Sequence, residues 1–325
     1  MHNSRIRLGI LFLMLIILGG YVKPALGGTR LQGSVRAAYL YDLATFTGNV
    51  PYNWPRVEPD SSGKEIYVVS ENLIQIFDAS GMEVYRFGDS LDLGSIADVA
   101  ADREGNIFLL SHRWSDAKLR LDYEITRCNY RGEPISRFEL QGLPPQFSEF
   151  VPDRMVLQGA KLYFANLLAM TVVVTDVHGL FQKGYDILPL LELHEKDKEG
   201  ATMVGFSVDP EGNVFFSVPP IFRVYKLTPG GQISFFGKPG GAPGFFNIVA
   251  GVASDAKGNI LVVDRLKSAV LIFDKGFNFV GQFGSMGFKP GFFIVPNDIV
   301  IDSQDRVYIT QAARRGVSVF KLSYN

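Results

Sequence analysis

The chain has 325 residues, 47% hydrophobic and 20% charged, a composition too apolar and too weakly charged for an extended disordered protein. A formal net charge of −1 supplies no global basic field for nucleic acid, while 34 Gly, 17 Pro and 26 Phe point to many turns and aromatic strands. The single cysteine, Cys128, excludes an internal disulfide framework, a thiolate zinc site and a haem attachment motif.

At the N-terminus, Arg5 and Arg7 precede an uncharged stretch from Leu8 to Val22, and Lys23-Pro24-Ala25-Leu26-Gly27 offers small residues ahead of a cut after Gly27. This is the pattern of a signal peptide over residues 1–27. As a helix the uncharged stretch rises only about 22 Å against a hydrocarbon core of about 30 Å, so a retained anchor is the lesser alternative. Removing it leaves 29 basic against 33 acidic residues, and no Asn-x-Ser/Thr sequon remains. The expected location is therefore the bacterial periplasm or outer cell surface, with no stable transmembrane span after cleavage.

The next segment, 36–46 (RAAYLYDLATF), is strand-like, with a short helix as the alternative. Beyond it one unit recurs: an apolar strand, Asp, two residues, Gly and a polar residue, then a second apolar strand. ADVAADREGNIFLL, VGFSVDPEGNVFFS and AGVASDAKGNILVV show it most plainly. With Asp60, Asp102, Val156, Asp209, Asp255 and Asp302 equivalent, the spacings are 42, 54, 53, 46 and 47 residues. Third strands such as Ile125–Gly132 and Val172–Gly179 follow, and fourth strands such as EVYRFG and FVGQFG complete most units.

Six such units predict an all-β, six-bladed β-propeller of four-stranded antiparallel blades, near 54–94, 95–150, 151–203, 204–247, 248–294 and 295–325. The last unit ends after its third strand, so the segment 36–46 is expected to pair beside Val317–Leu322 and close the ring, which removes two open edges. Asp in each turn can accept a backbone hydrogen bond and Gly takes φ > 0, so the aspartates are expected to be turn residues rather than calcium ligands.

The joints Phe236–Asp264 and Phe283–Thr310 resemble NHL-repeat propellers, whose units read roughly F-G-x-x-G, then G-x-F, then P-x-G-I-A-V-D-x-x-G-N. Lys267 and Ala269 stand where that family usually has Asn and Arg, so the RNA recognition of some cytoplasmic members is not carried over. Paired Phe245–Phe246 and Phe292–Phe293 are expected to wedge between blades.

Little catalytic apparatus is visible. His194-Glu195 is followed by Lys198 where H-E-x-x-H needs histidine, and no nucleophile elbow, P-loop or dinucleotide fingerprint occurs. Cys128 reads as a buried small residue. Related secreted propellers include lactonase-like and amidating-lyase-like enzymes with an axial metal, and on that analogy Asp98, Asp153, Asn247 and Asp298 would be candidates at the blade entrances. That reading implies a metal-dependent hydrolase or lyase with one divalent ion held by Asp98, Asp153 and Asp298.

Loops joining second to third strands share one face, and their pooled charge is basic: His112, Arg113, Lys118 and Arg120 in blade two, Arg265 and Lys267 in blade five, Arg314 and Arg315 in blade six. With Trp114 and Tyr123 on the longest loop, these residues form a candidate partner-binding surface. The leading expectation is a non-catalytic module without cofactor that binds a protein partner of an envelope complex, an electron-transfer complex with a multihaem cytochrome being one such setting. Carbohydrate or anionic-polymer binding is the remaining alternative.

Overall fold

A computed structural model describes residues 35–50, 53–89, 93–116 and 119–324, so the candidate signal segment 1–27 and Lys118 lie outside the described residues. Among them are six four-stranded antiparallel sheets and one short hairpin, Ala44–Thr45 with Gly48–Asn49. The innermost strands, in ring order, are Arg56–Pro59, Ser95–Ala101, Arg154–Gln158, Phe206–Val208, Val249–Ser254 and Pro296–Ile301. Each sheet meanders outward from its innermost strand, which makes a six-bladed β-propeller with almost no helix.

The ring closes as the shortened last unit requires. Val35–Asp42 pairs antiparallel with Val317–Tyr324, from Val35 opposite Tyr324 to Asp42 opposite Ser318, and supplies the outer strand of blade six. The strand outcome wins over the helix because the pairing satisfies an otherwise open edge.

Turn chemistry explains the repeat. Asp102 Oδ1 accepts the N–H groups of Glu104 and Asn106 (3.0 and 2.8 Å), and the Asn106 amide donates to Oδ2 (2.6 Å). Asp255 and Asn259 repeat the arrangement, and Gly105, Gly212 and Gly258 all sit near φ +80°. The Asn after Gly is thus a second clasp on the carboxylate. In blade six Arg306 replaces it, donating through Nε to Asp302 at 2.6 Å.

Apolar clusters fill the spaces between neighbouring sheets. Only the second phenylalanine of each pair is a wedge: Phe246 packs with Phe236 and Phe273, and Phe293 with Phe283 and Phe320, all four partners coming from the adjoining blades. Phe245 and Phe292 instead lie over Gly240 and Gly287 of their own loops, which corrects the expectation for half of these residues. Cys128 is buried, and burial pushes its thiol up to about 11, which keeps it unreactive near neutrality. No helix among the described residues is long and apolar enough to cross a membrane.

Candidate functional site

Side chains alternate along a strand, so Arg56 and Glu58 of the first innermost strand point the same way, while Val57 turns into the blade core. Arg56 is the hub of the axis. Its Nε and Nη2 donate to Asp98 Oδ1 and Oδ2 at 3.3 and 3.2 Å, and Nη1 donates to Asp298 Oδ2. Asp98 Oδ2 also accepts the Met155 N–H at 3.0 Å. One cluster therefore ties blade six to blade one, blade one to blade two and blade two to blade three. A bidentate guanidinium–carboxylate pair is strongly directional, and the two neighbouring carboxylates raise the Arg56 pKa against the opposing pull of burial.

Two of the three predicted metal carboxylates do converge, Asp98 and Asp298, but a guanidinium stands between them. The third is turned elsewhere: both oxygens of Asp153 accept the Leu167 N–H (3.3 and 3.1 Å), and burial raises its pKa. Asn247 donates its N–H to Asp264, a joint contact. No group of three His, Cys, Asp or Glu that could hold a metal ion exists among the described residues. These residues do not fit an axial divalent ion.

Glu58 and Arg154 complete the axial charges. Glu58 is lifted to about 8, first by burial and then by the nearby Asp98 carboxylate, with Arg56 opposing. Arg154 is lowered by burial and by Arg56, and its Nη1 donates to the Asp153 carbonyl at 2.7 Å. Sequence reading missed Arg56 although the signal was present: it lies four residues before Asp60, as Asp98 and Asp298 lie four before Asp102 and Asp302.

The loop face carries the other predicted residues. In blade two, strands Ile107–Ser115 and Arg120–Cys128 outrun their neighbours, so the hairpin projects, with Trp114 opposite Leu121. Trp114 is 59% and Leu119 77% exposed. The base is pinned where His112 Nε2–H donates to the Pro152 carbonyl at 2.6 Å, and near the turn Arg120 pairs with Glu149. Arg113 is exposed.

Tyr123 is a correction: only 9% exposed, it belongs to the core beside Leu110, Ile125 and Leu140, because its position in the strand faces the blade interior. Lys267 is another. Its ammonium donates to the carbonyls of Phe245 (2.6 Å) and Ala242 (3.1 Å), so it staples a joint rather than facing a ligand. Arg315 lies 3.8 Å from Asp42 across the closing seam. Arg265 donates to Asn297 and lies 5.4 Å from the half-exposed Trp54 ring, and Arg314 is exposed. What remains available on this face is the blade-two tip, Arg265 with Trp54, and Arg314.

Comparisons with known proteins agree on architecture. Residues 251–325 match a family described as a 6-bladed beta-propeller. No curated protein matches the chain in sequence. Among solved structures, a streptogramin B lyase is similar over 91% of this chain and 100% of its own, with 13% identity and a TM-score of 0.57. A gluconolactonase from Xanthomonas campestris is similar over 90% and 91%, at 14% identity and 0.54. An auxiliary nutrient binding protein from Bacteroides ovatus is similar over 90% and 78%, at 12% identity and 0.58. Likeness at such identities is likeness of fold, and the chain is a six-bladed β-propeller.

Proposed function

We propose that the chain is an exported, non-catalytic binding module that holds a protein partner on its loop face, as a scaffold or accessory subunit of a periplasmic or envelope complex. The observation that carries this reading is the blade-two hairpin, which exposes Trp114, Leu119 and Leu121 toward the end of a hydrogen-bonded two-stranded ribbon. Exposed apolar and aromatic groups held by a paired ribbon lower the ordering cost of association, and Trp and Arg are the residues most often found at energetic centres of interfaces. Arg265 beside Trp54 and the exposed Arg314 extend the same face.

The axial cluster supports the reading indirectly. Arg56 is committed to Asp98 and Asp298, an arrangement suited to holding blades together. The similar nutrient binding protein is a propeller with a binding role, and the lyase and gluconolactonase are propellers with enzymatic ones.

The test is crosslinking of the full chain in the cells that make it, comparing wild type with Trp114→Ala/Leu121→Ser. A stoichiometric partner captured by wild type and reduced at least about tenfold by the double variant is expected. Visible absorption of the captured complex then tells a haem protein from other partners. Equal capture by both forms would sink the hairpin as the docking site.

A further inference from the structure

Below the Arg56 cluster the axis widens into a cavity of about 560 Å³ that opens at the face of the first-to-second-strand turns, opposite the blade-two tip. Every blade contributes to its wall, with Glu58 from blade one, Asp102 from blade two, Gln158 from blade three, Pro210 from blade four, Ala256 from blade five and Asp302 from blade six. The volume lies within the range of small-ligand sites.

Two groups on this wall are left without a hydrogen-bond partner among the described residues. One is the Glu58 carboxyl: Arg56, its nearest countercharge, turns three of its N–H groups to Asp98 and Asp298 and none to Glu58. The other is the Ser61 hydroxyl, which is buried. Asp102 and Asp302 accept turn and side-chain donors. Glu58 is different, since it accepts no hydrogen bond among the described residues and its neighbours on the axis include two further carboxylates. A part-buried carboxyl that accepts nothing from the protein, lining a roomy cavity, invites a donor from outside.

We propose that this axial cavity binds a small organic cation bearing a primary ammonium, with Glu58 as the anchoring carboxylate. An ammonium supplies three donors and a positive charge, matching a site whose titratable lining is Glu58, Asp60, Asp102, Glu104 and Asp302 against Arg103. Glu58 faces Arg56 on its own strand, Asp98 on the second innermost strand and Asp298 on the sixth. The neutral carboxyl, favoured first by burial and then by those two aspartates, must lose its proton as the cation enters, so binding and deprotonation are linked. The inference is independent of the partner reading, which concerns the opposite face.

Isothermal titration of the mature chain with putrescine, and with 1,4-butanediol as the uncharged control, tests it. Putrescine is expected to bind at pH 8.5 and at least about tenfold more weakly at pH 6.0, releasing protons on binding, and the diol is expected not to bind. Glu58→Gln, nearly isosteric, should lose at least about tenfold in affinity and all of the pH dependence. Ala256→Arg, at the exposed rim and clear of the core, should also block putrescine while leaving the melting transition unchanged. The proposal is overturned by an absence of putrescine binding at pH 8.5, by equal binding of the diol, or by affinity that survives both substitutions.

Discussion

Blades one, two and six place Arg56, Asp98 and Asp298 four residues before the turn aspartate, whereas blades four and five place Gly205 and Gly251 there. On the charged arc, neighbouring innermost strands are bridged by side chains through the Arg56 cluster. On the glycine arc they touch through backbone. A Cβ on Gly251 would lie 2.7 Å from Asp298 Cα, and one on Gly205 would lie 2.6 Å from the Ala250 carbonyl oxygen. The same repeat position thus closes the ring in two ways, ion pairing where strands stand apart and absence of a side chain where they crowd.

The largest effect is expected at the hub. Arg56→Met strands two largely buried aspartates and should cost about 3–5 kcal/mol in urea denaturation, with most of the loss recovered in Arg56→Met/Asp98→Asn/Asp298→Asn. A cost under about 1 kcal/mol would mean that water already screens the cluster.

Next is pH dependence. The Glu58 carboxyl is raised in the folded state, so between its ordinary range and about 8 the native chain binds more protons than the unfolded one. Stability is therefore expected to be fullest below the unfolded value and to fall, by something on the order of 2–3 kcal/mol from this group, as pH rises through about 8. Glu58→Gln should flatten that slope; an unchanged slope would assign it elsewhere.

The glycine arc should answer to size alone. Gly251→Ala and Gly205→Ala are expected to cost about 1–3 kcal/mol each through overpacking, measured against Gly241→Ala, where the added methyl meets nothing within 4 Å. Smallest is the rim: Trp114→Ala should change stability by less than about 0.5 kcal/mol, so any loss of partner capture reports on binding rather than folding.

Much of this architecture was legible in the one-dimensional pattern. Strand periodicity and the D-x-x-G-N turn are local signals, and local hydrogen bonding obeys them: Asp102 and Asp255 hold their own turns. The missing outer strand of the last unit was readable as well, and Val35–Asp42 supplies it from the other end of the chain. Blade three kept its strands even without the turn aspartate, because pairing of Lys161–Asn166 on both sides supplies what the turn does not. The position of Asp98 and Asp298 in the repeat was readable too.

Their role was not. Whether two carboxylates from blades two and six meet a metal or an arginine depends on which side chain blade one sends to the axis, and residues 42 and 242 positions apart become neighbours only when the ring closes. Tyr123 and Lys267 teach the same about the surface. Each lies in a stretch that reads as exposed, yet strand alternation buries the one and three nearby carbonyls capture the other. Composition and period determined the propeller, because blade formation rests on contacts close in sequence. Tertiary structure decided what stands on the axis and what stays free on the rim, because those contacts are made between blades.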